Sequence, residues 1–171
     1  MLAIILYLIG IIILFAVIYC FLRPTVRGAI YFPTTERNVK LMLKLAELKP
    51  GEHIADIGSG DGRIVLACAA RGIYAVGYEI NPLLVYFSRR AIYRAGLEKY
   101  ATVHWKSFWR ADFSQYDAVF VYGIPYIMER IARKLELELK PGAKIVSNMF
   151  KFPDWQQERS EKDEVRLYIL K

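Results

Sequence analysis

The chain opens on an unbroken apolar stretch and then settles into alternating short apolar runs and amphipathic segments. Residues 1–22, MLAIILYLIGIIILFAVIYCFL, hold no charged side chain and are followed by Arg23, Pro24 and Arg27. At about 1.5 Å per residue a helix of that length matches a hydrocarbon core of about 30 Å. The run predicts a membrane anchor. A secretory leader would need a basic start, a shorter apolar stretch and a small-residue cleavage site, and this segment has none of these. With Arg23 and Arg27 as the flanking charges, the positive-inside tendency sets the following domain in the cytoplasm. The missing Arg- and Ser-rich leader favours a prokaryotic plasma membrane over an organelle inner membrane.

Beyond a linker over 23–35, the pattern changes period. In TTERNVKLMLKLAELKPG, Thr34 or Thr35 caps a helix that places Val39, Met42, Leu43 and Ala46 on one face, and Pro50-Gly51 stops it. HIADIG, YAVGYE, TVHW, DAVFVY and AKIVSNMF read as short buried strands. Between them, GRIVLACAARG, LLVYFSRRAIYRAG after Asn81-Pro82, and IMERIARKLELELK read as helices. Strict alternation predicts βαβ units: a doubly wound, mostly parallel, Rossmann-like α/β sheet covered on both faces, in one domain over 36–171. The tail WQQERSEKDEVRLYILK adds two antiparallel edge strands around a charged turn. LKPG at 48–51 and 139–142 precedes a strand both times, as a shared helix-to-strand turn and not an internal repeat.

Composition narrows the chemistry. The 171 residues carry 24 Lys+Arg against 17 Asp+Glu, a formal charge of +7. Arg23, Arg27, Arg37, Lys40 and Lys44 crowd the stretch after the apolar run, which favours an anionic lipid surface over nucleic acid as the partner. There is no nucleic-acid-binding signature. Cys20 and Cys68 have no metal or disulfide spacing, so no metal is expected, and His53 and His104 at strand ends read as structural.

Candidate function gathers at ADIGSGDGRI, residues 55–64. A glycine turn after the first strand is where doubly wound sheets bind their ligand. A dinucleotide fingerprint would need glycine at 63, where Arg63 stands, and Asp56 and Asp61 would repel a pyrophosphate. A cationic nucleoside reverses that sign. S-adenosylmethionine carries a sulfonium and an ammonium but no phosphate, so its aminoacyl arm suits Asp56 and the backbone of Gly58, Ser59 and Gly60. Glu79, at the end of the second strand, offers two carboxylate oxygens to the ribose diol. Asp61 also reads as a helix N-cap.

On ADIGSGDGRIVLACAARG, GYEINP, YFPTTERNV, FVYGIPYIMERIARKLELELKPGAKIVSNMF and FPDW, the chain resembles the class I S-adenosylmethionine-dependent methyltransferases. Within them it is similar to the small membrane-anchored protein-lysine methyltransferases, whose members modify the adenine nucleotide translocase and the ATP synthase c subunit. The resemblance implies cofactor contacts at Asp56, Gly58, Gly60, Glu79 and Asn81, with Tyr31 to Thr34 folding over the ligand. Two positions depart from the pattern. Ser107 in WKSFW stands where many relatives hold Asp or Asn against the adenine amino group. Gly123-Ile124-Pro125-Tyr126 replaces the Asn/Asp-Pro-Pro-aromatic motif of enzymes that methylate amide or exocyclic nitrogens. Tyr122, Pro125 and Tyr126 are then the expected acceptor channel, an apolar wall that desolvates a lysine amine. The reading is a methyltransferase acting on a lysine of a membrane protein. A lipid or quinone methyltransferase, or a cofactor-binding module without catalysis, stays open beside it.

Overall fold

A computed structural model of the chain describes residues 1–27, 32–123, 125–162 and 164–171. The N-terminal helix α1 spans Leu2–Arg27, and its described apolar side chains, among them Ile4, Tyr7, Ile12 and Phe15, are exposed. Among the described residues no helix is long and apolar enough to cross a membrane, so the expected span over 1–22 gains no support here.

The remaining elements follow the predicted alternation: α2 Glu36–Ala46, β1 His53–Ile57, α3 Arg63–Ala69, β2 Tyr74–Glu79, α4 Pro82–Arg94, β3 Ala101–Trp105, β4 Ala118–Val121, α5 Pro125–Glu138, β5 Lys144–Asn148, β6 Arg159–Glu161 and β7 Val165–Ile169. A single 3-10 turn, Phe108–Arg110, follows β3. The strands form one sheet in the order β3-β2-β1-β4-β5-β7-β6. The first five are parallel, and β7 runs antiparallel to both β5 and β6, the edge pair expected from the charged turn. The order reverses between β1 and β4, which opens a crevice at the carboxyl ends of those two strands.

Alternation along the strands divides the core. Ile54, Phe120 and Val146 point into a layer closed by α2, α3 and α4. Ala55, Val119, Val121 and Ile145 point into the opposite layer, with Met128, Ile131 and Leu135 of α5 and the ring cluster Phe113, Tyr116 and Tyr168. Thr35 is the N-cap of α2, its side chain accepting from Asn38 N at 3.2 Å. Met42 and Leu43 then bury the helix against the sheet, contributing about 1.5–3 kcal/mol each. The helix ends at Ala46, earlier than Pro50 predicts, because Glu47 turns into the left-handed region at φ 45. That geometry is disfavoured for a residue with a Cβ, and Arg159 holds the Glu47 carboxylate at 2.7 Å there.

Cys68 and His53 have packing roles. Cys68 is fully buried, and burial pushes its thiol up to about 12. His53 stacks on Tyr74 with ring centroids 4.8 Å apart. Among the described residues no group of His, Cys, Asp and Glu could hold a metal ion.

Candidate cofactor and acceptor site

After Ile57 the chain turns through Gly58, Gly60 and Gly62 at φ 72, 56 and 81, all in the left-handed region that glycine enters freely. The amides of Gly58 and Ser59 donate to the Tyr78 carbonyl at 3.0 and 3.1 Å, stitching the turn onto β2. Close approach there requires Gly77, since a Cβ at that position would lie 2.5 Å from Ser59 Oγ. A Cβ on Gly62 would lie 2.7 Å from the Cβ of Ser88 on α4. The turn is therefore clamped between a strand and a helix. Ser59 Oγ is buried and has no hydrogen-bond partner among the described residues.

Glu79 closes the turn from the other side. Its Oε2 accepts from Gly60 N at 2.9 Å, and its Oε1 accepts from Ile80 N and Asn81 N at 2.7 Å each. Three backbone donors fix the carboxylate, which is only 8% exposed, and leave lone pairs facing the crevice. Asn81 Oδ1 accepts from Leu83 N at 3.0 Å and caps α4, with Pro82 at the first helical position as the sequence predicts.

The acidic residues of the turn divide into two kinds. Asp61 is held by Arg63: Nε donates to Oδ1 at 2.9 Å and Nη2 to Oδ2 at 2.6 Å. The N-cap of α3 is Gly62, so Asp61 stands one residue before the cap, and from there its Oδ1 accepts from Arg63 N, the first amide of the helix, at 3.3 Å. Its shorter bonds, however, go to the Arg63 side chain. The electrostatic argument from sequence thereby narrows to Asp56 and Glu79. Asp56 is buried, lines the crevice and makes no side-chain hydrogen bond among the described residues. Burial, and next the charges of Glu79 and Asp61, push its carboxyl up to about 8. A cation set beside it would reverse that shift.

Arg63 also reaches across the crevice, Nη1 donating to the Thr34 carbonyl at 2.5 Å. The same strap, residues 32–34, is pinned from below. Asn38 Nδ2 donates to Asn148 Oδ1 at 2.9 Å, and Asn148 Nδ2 to Thr34 Oγ1 at 3.4 Å. Both asparagines are buried. The part of the predicted linker just before α2 is thus a wall of the site.

The crevice encloses about 660 Å³. Asp56, Gly58, Ser59, Gly60, Glu79, Asn81, Ser107 and Thr34 all line it, as do Tyr122 and Tyr126. Pro125 does not; it is exposed at the start of α5, because the chain turns away from the crevice there. Tyr31 and Ile124 lie outside the described residues. Ser107 precedes the Phe108–Arg110 turn, and its hydroxyl forms no bond among the described residues. Phe32, Met149 and Phe150 complete the acceptor end. The Phe32 ring meets Tyr122 edge-on at 6.3 Å, and Phe150 lies stacked on Tyr122 at 6.4 Å. Burial raises the Tyr122 hydroxyl above its ordinary range. Sequence reasoning missed Phe150, although its place just after β5, at the carboxyl edge, was a usable signal.

A family model described as the ANTKMT methyltransferase domain matches residues 56–159, from the glycine turn to the start of β6. The chain belongs to this family, whose members are class I S-adenosylmethionine-dependent methyltransferases. It is 40% identical over 143 residues to the ATP synthase c-subunit lysine N-methyltransferase of Rattus norvegicus, covering 82% of this chain and 66% of that protein. It is 32% identical over 149 residues to a protein-lysine N-methyltransferase of Saccharolobus islandicus, covering 82% of this chain and 92% of that one. Among solved structures, an RNA methyltransferase from Salinibacter ruber in complex with S-adenosyl-L-homocysteine superposes with a TM-score of 0.76 at 31% identity, covering 81% and 92% of the two chains. The chain spans about three fifths to two thirds of the length of the rat, mouse and frog relatives.

The residues present fit the family's cofactor. The volume lies inside the range of about 300–1,000 Å³ usual for small-molecule sites. Asp56 lacks a cationic partner among the described residues and stands where the turn opens, and Glu79 presents a fixed carboxylate.

Proposed function

We propose that this chain is a protein-lysine N-methyltransferase acting on a membrane protein, with residues 1–22 as its anchor, 23–35 as a linker and 36–171 as the catalytic domain. When bound, S-adenosylmethionine supplies an electrophilic methyl group on a sulfonium. Asp56 and the turn at Gly58–Gly60 hold the aminoacyl end, Glu79 the ribose hydroxyls and Ser107 the adenine edge. Thr34, fixed by Arg63 and Asn148, covers the site.

The observation that carries the lysine reading is the acceptor wall. Tyr122 and Phe150 are half-buried aromatic rings with the exposed rings of Phe32 and Tyr126 at the rim, and among the described residues no carboxylate or side-chain amide stands with them. An amide or base nitrogen needs such a group to hold its hydrogens, whereas an alkyl amine needs a dry tube of the right width. Stripping water from a lysine ammonium lowers its pKa, so the proton leaves to solvent before the amine nitrogen reaches the wall. The rings would hold that nitrogen at the acceptor end of the crevice, and holding two reacting centres in alignment supplies much of the rate of such a transfer. The names of the rat and Saccharolobus relatives support the same acceptor.

The membrane setting is supported by the uncharged run of 1–22, by the exposed apolar side chains of α1 and by the basic residues that follow. Arg23 and Arg27 favour a domain on the cytoplasmic side of that membrane. A second reading, methylation of RNA, is favoured by the likeness to the Salinibacter RNA methyltransferase and by the net charge of +7. Incubating the full chain with membranes, cellular RNA and a methyl-labelled donor separates these readings. Label in acid-precipitated protein that survives mild alkali, as an N-methyl amine does, supports lysine methylation. Label confined to RNA or to extracted lipid contradicts it.

A further inference from the structure

The helix that closes the cofactor turn has a second, unused face. α4 buries Val85, Ser88 and Ile92 against the sheet and contains no acidic residue. Its outer surface presents Leu83, Tyr86, Phe87 and Tyr93, which are 48%, 56%, 57% and 74% exposed, interleaved with Arg89, Arg90 and Arg94. Soluble helices turn charged and polar residues to water, and a run of four large apolar side chains on one exposed face marks a contact surface. Trp105, 57% exposed at the end of β3, extends it. Together Tyr86, Arg89, Arg90, Tyr93, Val85 and Trp105 enclose a groove of about 400 Å³.

We propose that this face docks on an anionic phospholipid bilayer, with the groove receiving a lipid headgroup. Charge decides the sign of the partner: from residue 80 to 111, Arg89, Arg90, Arg94, Lys99, Lys106 and Arg110 stand against Glu98 alone. None of the three α4 arginines forms an ion pair among the described residues. Side-chain chemistry decides the kind of partner. Tyrosine and tryptophan are the residues of the bilayer interface, with an apolar ring and a polar tip, and arginine stems lie along acyl chains while their heads reach phosphate. Trp105 is already fixed, its Nε1 donating to the Ile80 carbonyl at 3.0 Å, so its ring faces outward without a further ordering cost. Arg89 is fixed likewise, Nε donating to the Val103 carbonyl at 2.8 Å. A single-stranded RNA would want parallel ring faces as stacking platforms. Tyr86 and Phe87 instead meet edge-on, at 69° and 5.6 Å, and Leu83 offers no plane at all.

Because α4 is capped by Asn81, two residues after Glu79, docking on this face sets the cofactor crevice at the membrane surface, within reach of a lysine that emerges there. The proposal rests on the membrane reading for its setting only, since the face binds through its own residues.

The test uses the full chain with Trp109→Phe and Trp155→Phe, so that Trp105 is the single reporter. It is reconstituted with phosphatidylcholine vesicles carrying brominated acyl chains, with or without phosphatidylglycerol. Flotation of the chain with the vesicles reports the anchor; quenching of Trp105 reports the face. The expected result is quenching that rises with phosphatidylglycerol and falls in high salt. An interfacial arginine is worth about fivefold in partitioning, so Arg90→Glu with Arg94→Glu should lower the ratio of docked to undocked chain by at least about 25-fold, the two new carboxylates lowering it further, while thermal melting is unchanged. Arg90→Lys with Arg94→Lys should restore it. Equal quenching in both vesicle types, or no quenching in vesicles that float with the chain, overturns the proposal and leaves the anchor standing. A Trp105 shift caused by poly(U) RNA but not by vesicles, or by protein concentration alone in detergent, overturns it in favour of RNA or a second copy of the chain.

Discussion

Replacing Glu79 by Gln tests whether one carboxylate both shapes the glycine turn and holds the cofactor. The substitution keeps the volume and removes the charge. The new side chain could still accept from Ile80 N and Asn81 N through its carbonyl oxygen, which keeps the 2.7 Å pair. Its amide nitrogen would then face Gly60 N–H, where Oε2 now accepts at 2.9 Å, and two donors cannot bond. One buried, charge-assisted bond is lost, about 1.5–3 kcal/mol, and thermal denaturation should report it. The proposed function makes the same carboxylate the acceptor of the ribose diol, so S-adenosylhomocysteine binding should weaken by a comparable free energy, about 10- to 150-fold in Kd by calorimetry. A variant whose melting temperature falls while its affinity is unchanged would make Glu79 a loop clasp only. One unchanged in both would remove Glu79 from the account.

Asp56 gives a pH signature. Its folded pKa, raised to about 8, exceeds the ordinary 3.8, so its contribution to stability is fully present below about pH 4 and is lost as pH rises toward 8. Asp56→Asn should flatten that decline in urea titrations, and in the wild type cofactor binding near pH 7 should release a proton, seen as a dependence of the calorimetric heat on buffer. Gly62→Ala should destabilise the domain by about 2 kcal/mol or more, since the residue sits at φ 81 and the new Cβ meets Ser88 at 2.7 Å; a urea midpoint equal to wild type would contradict this. Tyr122→Ala should lower kcat about 100-fold through lost alignment while Tyr122→Phe keeps most activity, because the ring does the aligning. Equal losses in the two variants would move the role to the hydroxyl.

The alternation of apolar runs and amphipathic segments carried the architecture, because a strand buried on both faces and a helix buried on one leave different periods in the chain. It also carried the edge pair, through the charged turn before β7. Glu79 was readable as a site residue because strand end, spacing and carboxylate coincide. Its three backbone bonds were not, since they depend on how the turn folds back over β2. Asp61 reads as a cap and does meet the first amide of α3, but its shorter bonds go to the Arg63 side chain two residues on, a partner that only the folded turn brings round to it. The strap was legible only as a resemblance. What pins it is a pair of asparagines 110 residues apart, and no local pattern announces a contact of that range. Pro125, expected in the acceptor channel, does not line the crevice for a related reason: proline opens α5 and leaves the crevice to Tyr122 and Tyr126.

The central claim is transfer of a methyl group to a lysine amine. Tandem mass spectrometry of membranes treated with the full chain and trideuteromethyl-labelled donor reads it at residue level. Deuterated methyl is expected on lysine side chains of a membrane protein, appearing about 100-fold more slowly when Tyr122→Ala replaces the wild type. Deuterated methyl found only on carboxyl side chains, on RNA bases or on lipid, with every lysine unlabelled, would contradict it.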